Sequence, residues 1–279
     1  MQHSKLAIIV PTMNPSMLAD LRESLIGQLD EYAQMIIVGI DVTPEQLTQF
    51  EDAQTSVVCT SNRGYAHAVN VGIRQANQLA ADAYCIVNDD TYVDTTFVKS
   101  VRLALTNHPK SLIGGKIYYA PNHEYHADRY TQAERGIVLW YAGGVVDTAH
   151  ALTRHRGVDE VDHGQYDIEA PTQFVTGCLF IFDKQVVDKV GMWDESYFLY
   201  YEDADYCMRA QKKKIPIYYI PSIRLWHKVS QSTGGSGSSI HTKYQDINRL
   251  RWSAKYLPIR TTAHVALQYV QNKLIQNKR

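Results

Sequence analysis

Short apolar runs alternate with amphipathic stretches through the first ninety positions, and this alternation dominates the chain. Residues 6–10 (Leu-Ala-Ile-Ile-Val) form an unbroken apolar run closed by Pro11-Thr12-Met13-Asn14, as a strand buried on both faces would. Leu18, Leu21, Leu25 and Leu29 then recur at helical spacing within residues 17–32. A second strand is predicted over 35–40, ending at Asp41, and a helical segment over 44–53 leads to a third strand over 56–59. The loop Thr60-Ser61-Asn62-Arg63-Gly64 opens a long helix over 66–80, and a fourth strand over 83–87 ends at Asn88-Asp89-Asp90. Strand and helix alternating through short loops predict an α/β fold, a Rossmann-like and mostly parallel central sheet flanked by helices. Ligands of such sheets bind beyond the carboxyl ends of the strands. Those ends carry Thr12 and Asn14, Asp41, Asn62, and Asn88 to Asp90, so four segments deliver polar side chains to one rim.

The second half is less regular. Strands are predicted over 111–119, 136–146 and 172–182, a helix over 184–190, then Gly191-Met192-Trp193-Asp194-Glu195-Ser196-Tyr197-Phe198. A helix over about 202–213, a strand over 217–220 and a glycine and serine run over 233–239 follow. The tail, about 261–278, has helical spacing, with Val265, Tyr269, Val270 and Leu274 on one side and Lys273, Lys278 and Arg279 nearby.

Composition narrows the class. The 279 residues are 45% hydrophobic and 20% charged, enough for one large domain or a domain with an appendage. A net charge of −1 provides no global field toward nucleic acid or an anionic membrane, so any charged partner must be held locally. Cys59, Cys85, Cys178 and Cys207 form no CxxC pair and sit in apolar segments, which favours a reducing cytosol. The run over 6–10 is too short for a signal-peptide core, and no stretch approaches the roughly 18 apolar residues of a membrane span. A soluble protein is expected. The 19 tyrosines concentrate between Tyr118 and Tyr219, as groove-lining rings or as ordinary half-buried strand residues.

Three constellations carry candidate chemistry. In an extended Asn88-Asp89-Asp90, Asn88 and Asp90 share a face, and a carboxylate at a strand end suits Mg²⁺ or Mn²⁺ completed by substrate phosphates. A plain turn or helix cap competes with that reading. Glu202, Asp203 and Asp205 crowd three acids at a helix start, more than the helix dipole needs and a way of tuning a general base. His227, beside Lys228, Ser230 and Ser232 and a Gly/Ser-rich loop, suits a further metal ligand, the loop closing over a diphosphate. The other ten histidines have no comparable setting. Lys212-Lys213-Lys214 reads as a solvated helix end. Glycine-rich dinucleotide and P-loop motifs, G-x-S-x-G and H-E-x-x-H are all absent, against dehydrogenases, P-loop enzymes, serine hydrolases and zincins.

In order, the motifs are Ile8-Ile9-Val10-Pro11-Thr12-x-Asn14, Asp41, Asn62-Arg63-Gly64-Tyr65-Ala66 with Asn70, and Asn88-Asp89-Asp90-Thr91. Thr176-Gly177-Cys178, Val190-Gly191-Met192-Trp193-Asp194-Glu195, Phe198-x-x-Tyr201-Glu202-Asp203-x-Asp205-x-x-x-Arg209 and His227-x-x-Ser230-x-Ser232 complete the series. Over about residues 6–248 it resembles family 2 glycosyltransferases of the GT-A fold, particularly the bacterial rhamnosyltransferase-like branch.

That resemblance implies a GT-A domain over 1–255, with a nucleotide-sugar half over 1–110, an acceptor half over 111–255, and a helical tail over 256–279. It implies donor contacts from Pro11, Thr12, Asn14, Asp41, Asn62, Gly64, Asn70, Asn88 and Asp89, and an acceptor side at Gly177, Trp193 and Glu202. Asp90 and His227 match metal ligands and Asp203 the catalytic base. Asn88 replaces the first acid of the family's D-x-D motif, a departure the rhamnosyltransferase-like branch shares. The activity implied is inverting transfer from dTDP-rhamnose or a UDP-sugar to a hydroxyl of a growing bacterial surface glycan, free or lipid-linked, in the cytoplasm. The tail's apolar stripe suits the inner membrane face, a second subunit or the chain's own domain. An inactive nucleotide- or glycan-binding paralogue is the alternative, opposed by the joint presence of Asp90, Asp203 and His227. A nucleotidyltransferase would ordinarily show a Gly-rich, basic phosphate loop, absent from residues 11–15.

Overall fold

The computed structural model describes residues 4–229 and 239–276. The first half comprises β1 (Leu6–Thr12), α1 (Leu18–Leu25), β2 (Ala33–Ile40), α2 (Pro44–Leu47), β3 (Thr55–Thr60), α3 (Tyr65–Gln78), β4 (Ala83–Val87), β5 (Thr91–Val93) and α4 (Phe97–Asn107). The second comprises β6 (Leu112–Tyr119), β7 (Leu139–Tyr141), β8 (Gly144–Asp147), β9 (Leu152–His155), β10 (Ala170–Pro171), β11 (Leu179–Asp183), α5 (Lys184–Val190), α6 (Glu202–Lys212), β12 (Ile217–His227), α7 (Ser239–Tyr256) and α8 (Ile259–Gln276).

The main sheet runs β3-β2-β1-β4-β11-β6-β12-β10, with β5 on β12 and β7 on β6; β8 and β9 form a separate hairpin. The β3-β2-β1-β4 pairs are parallel, as is β6-β12, while β11 is antiparallel to both its neighbours. Among the seven central strands, therefore, only β11 runs against the rest. The carboxyl ends of β1 to β4, β6 and β12 share one rim, and the entry into β11 returns to it: Asn88 N–H donates to Cys178 O at 3.2 Å. β1 and β4 are buried along their whole length, which is why their sequences are continuously apolar rather than alternating. α3 lies so close over the sheet that a Cβ on Gly72 would collide with Ile9 Cγ2.

Several expected elements have different bounds. The helix expected over 17–32 stops at Leu25, where Gly27 and an Asp30–Ala33 bridge turn the chain into β2. The strand expected over 136–146 breaks into β7 and β8 at Gly143, whose φ is +100°. Of 172–182 only residues from Leu179 onward are strand, because the preceding loop serves the rim. The 217–220 strand continues to His227 through an irregularity between Ile220 and Arg224. The sequence pattern does not predict β5, β9, β10, α4 or α7, although Phe97, Val98, Val101 and Ala104 mark a helical core stripe. The Gly/Ser run falls almost wholly outside the described residues, as do Ser230, Ser232, Lys278 and Arg279. The tyrosines of 118–219 serve the sheet more than a groove: the hydroxyls of Tyr118, Tyr119, Tyr141 and Tyr219 donate to Asp162, Asp159, Phe174 O and Tyr166 O.

Candidate active site

At the shared rim lies a cavity of about 850 Å³. Pro11 and Thr12, Asn62 and Gly64, Asn88 to Asp90, Gly177, Glu202 and Asp203, and His227 all line it. Six separate segments thus converge, as expected for a parallel sheet's carboxyl edge. The turn after β4 differs from an extended segment: it brings Asp89 to the wall together with Asn88 and Asp90, and Asn88 Oδ1 accepts from Tyr65 Oη at 3.0 Å.

The three acids of α6 separate into different jobs. Asp205 is fully buried and neutralised away from the cavity by Arg209 at 2.8 Å, Lys255 at 2.6 Å and the Tyr256 hydroxyl at 2.6 Å. Glu202 and Asp203 face the cavity. Burial pushes Asp203 up to about 6, while the Gly177 and Ala204 amides, at 2.9 and 2.7 Å, pull it back. Burial, and next the charge on Asp203, hold Glu202 well above the usual carboxylate range, and its Oε2 has no hydrogen-bond partner. The pair therefore shares one proton near neutrality: Glu202 keeps it and Asp203, held by two amides, is the ionised member.

The aim of this pair depends on a strained turn. Tyr200 and Tyr201 both adopt left-handed backbone, φ 66° and 70°, directly before α6. Such conformations cost roughly 1–2 kcal/mol per residue and persist where surrounding contacts over-determine them. Here Asn248 Nδ2 donates to Leu199 O and Tyr200 O, and the buried Tyr201 hydroxyl donates to Ala151 O.

In the same cavity, Asp90 Oδ1 lies 3.0 Å from His227 Nε2, both side chains almost wholly buried. Burial opposes charge on both, yet each offsets it for the other: His227 lowers Asp90, while Cys178 and Asp90 hold His227 well above its ordinary value. Although the two are in ion-pair contact, neither Asp90 Oδ1 nor His227 Nδ1 has an aligned hydrogen-bond partner. Burial pushes Asp89 up to about 7, with the Thr12 hydroxyl opposing and the Asp90 charge adding to the rise. Among the described residues no three candidate ligands cluster tightly enough to cage a metal. A carboxylate, and an imidazole that gives up its extra proton when a metal binds, nevertheless fit a hard or borderline divalent cation whose remaining positions come from substrate oxygens.

Four predicted site residues do not line the cavity. Asn14 Oδ1 instead accepts from Ser16 N and caps the short turn after β1. Asp41, also at positive φ, accepts from Asn62 N at 2.9 Å and shapes the loop rather than the wall. Asn70 is buried and clamps the Trp193 backbone in both directions, at 3.0 and 2.9 Å. Trp193 packs its indole against Phe180 and Tyr206 in the core. For the last two the reason is architectural: α3 must be tied to the 191–198 segment so that Tyr65 N meets Phe198 O at 2.9 Å. Gly64 allows that approach, since a Cβ there would collide with Phe198 O. Conversely, Trp140, Thr153, His155 and Phe174 line the cavity without having been anticipated as site residues. The split at Gly143 and the β8-β9 hairpin that bring them there leave little signal in an irregular sequence stretch.

The fold is GT-A. The chain matches the solved structure of GalNAc-T7 with UDP, GalNAc and Mn²⁺ at a TM-score of 0.66 and 13% identity, over 91% of this chain and 48% of that one. A profile described as "Glycosyltransferase like family 2" matches residues 7–254, and the chain belongs to that family. It is 24% identical to the dTDP-rhamnosyl transferase RfbF of Shigella flexneri over 89% of this chain and 78% of the relative. It is likewise 24% identical to the N-acetylglucosaminyl-diphospho-decaprenol L-rhamnosyltransferase of Mycobacterium tuberculosis, over 71% of this chain and 66% of the relative. The chain thus spans about half the length of the solved structure and about two thirds of the mycobacterial protein.

Proposed function

We propose that this glycosyltransferase transfers a sugar, with inversion, from a nucleoside diphosphate donor to a hydroxyl of a growing bacterial surface glycan. The observation that carries the reading is the pairing, in one cavity, of a buried carboxylate raised to about 6 with a separate, buried Asp90/His227 pair in which Asp90 Oδ1 and His227 Nδ1 lack hydrogen-bond partners. A base and a diphosphate-binding end are what a single displacement needs. Similarity to two rhamnosyltransferases supports dTDP-rhamnose as donor ahead of a UDP-sugar, and a lipid-linked glycan as acceptor.

Asp203 accepts the proton of the acceptor hydroxyl as its oxygen attacks the anomeric carbon. The bond from that carbon to the diphosphate oxygen breaks on the opposite face, which inverts the centre. The Gly177 and Ala204 amides keep Asp203 oriented, and Glu202 beside it holds a proton and so adds no second charge. Asp90 and His227 would hold Mg²⁺ or Mn²⁺, which when bound neutralises charge on the departing diphosphate. Pro11, Thr12, Asn62, Gly64, Asn88 and Asp89 form the donor end, and Gly177 and Glu202 border the acceptor.

Product analysis tests this reading. Incubation of dTDP-rhamnose or UDP-sugars with a glycan acceptor is expected to release nucleoside diphosphate and to give a product of inverted anomeric configuration by NMR. Pyrophosphate release would indicate nucleotidyl transfer, and retained configuration would remove Asp203 as the base of a single displacement. Asp90→Ala is expected to weaken donor binding measured with Mn²⁺ present while leaving chelator-treated binding unchanged.

A further inference from the structure

The hairpin β8-β9 carries a histidine that the mechanism above does not use. Gly144 pairs with His155 and Val146 with Thr153, so His155 and Thr153 share the hairpin face that lines the cavity, and Arg154 between them is exposed. His155 Nδ1 lies 3.0 Å from Trp140 O. A carbonyl oxygen can only accept, so Nδ1 carries the hydrogen and fixes the tautomer. Burial pushes the ring down to about 4, so it stays neutral at physiological pH. Nε2 is then a bare lone pair that can accept a hydrogen bond but cannot donate one, and no hydrogen bond to it is found among the described residues.

The position of this lone pair narrows its partner. The Trp140 ring meets His155 edge-on at 4.4 Å and His227 at 4.7 Å, while Phe174 stacks along His155 at 6.1 Å. From Phe174 the chain passes through Val175 and Thr176 to Gly177, whose N–H holds Asp203. The wall therefore touches His227 on one side and leads through Phe174 to the segment that holds the base. In an in-line displacement the ring being transferred lies between the departing diphosphate and the base. Ionised phosphate oxygens bear no hydrogen for Nε2 to accept, whereas a sugar hydroxyl does.

We propose that Trp140 and His155 form the subsite of the transferred sugar, with His155 Nε2 accepting a hydrogen bond from one of its ring hydroxyls. The assignment rests on the glycosyl-transfer reading and deepens it: His155 is a specificity residue that selects for a hydroxyl at one ring position. The test compares dTDP-rhamnose with its monodeoxy counterparts as donors for the wild type, His155→Phe and His155→Gln, reading kcat/KM. The wild type is expected to lose about tenfold on one monodeoxy donor, the worth of a single neutral hydrogen bond. His155→Phe is expected to lose a similar factor with the parent donor and to stop discriminating, a change that general misfolding would not produce. His155→Gln, which supplies an amide oxygen, is expected to recover part of the discrimination. Equal use of every monodeoxy donor by the wild type, or unchanged discrimination in His155→Phe, would overturn the assignment. Should the wild type transfer no sugar from any nucleotide donor, the glycosyl-transfer reading fails, and this one with it.

Discussion

Glu202, Asp203 and Asp205 stand within four positions, yet their surroundings give them different charges and uses. Asp205 is an anchored ion with an arginine, a lysine and a tyrosine around it, so Asp205→Ala leaves cations without their buried partner. Because Arg209 and Lys255 are partly exposed and Lys255 keeps Asp194 as a partner, urea unfolding is expected to show a loss of about 1.5–3 kcal/mol. Glu202 is the reverse case, a buried carboxyl with an oxygen lacking any partner. Its folded pKa is raised, so relative to a neutral side chain it weakens the fold as pH climbs above the unfolded carboxyl's value. Glu202→Gln is expected to raise the Tm at pH 8 and to leave it unchanged at pH 4. Asp203 must be ionised to accept a proton. With burial raising it to about 6, kcat/KM is expected to fall about tenfold per pH unit below that value and to level above it. A profile flat down to pH 4.5 would exclude Asp203 as the base. The crowding of acids was legible in the sequence; which acid turned inward was not, because Lys255 and Tyr256, from a helix fifty residues later, decide it.

At the scale of elements, the reversed strand β11 and the left-handed turn before α6 do most to build the cavity. Because β11 opposes its neighbours, its entry loop returns Gly177 to the rim, where its amide meets Asp203. The turn at Tyr200 and Tyr201 is held by Asn248 of α7, which lies far along the chain. Asn248→Ala removes two hydrogen bonds to the turn and is expected to cost about 1–3 kcal/mol in unfolding experiments. Its kcat is expected to fall more than its KM changes, since the turn aims the base rather than the donor end. β1, β2 and β4 could be read from continuous apolar runs, since strands buried on both faces need no alternation, whereas the half-buried edge strand β3 shows only the short Val57-Val58-Cys59 run. β11, β7 and β8 could not be delimited in that way: their direction and breaks follow from pairing partners and from Gly143, which local periodicity does not encode.

Over the whole molecule, the sheet's carboxyl edge gathers residues from Pro11 to Gln245 into one cavity. α8 sets one side against this body, with Val265 buried and Asn272 bonded to Asp246 of α7, while Ile259, Leu267, Val270 and Leu274 stay exposed. None of the described helices is long and apolar enough to cross a membrane. The four cysteines are free, three of them buried, as their apolar settings in the sequence suggested. The central claim is that Asp203 removes a proton during sugar transfer at one end of this cavity while the donor is held at the other. Its most direct test is single-turnover transfer by Asp203→Asn, with donor affinity measured on the same preparation. The expected result is a loss on the order of 10²–10⁴ in the transfer rate with donor affinity within about twofold of the wild type. Transfer at the wild-type rate would contradict it.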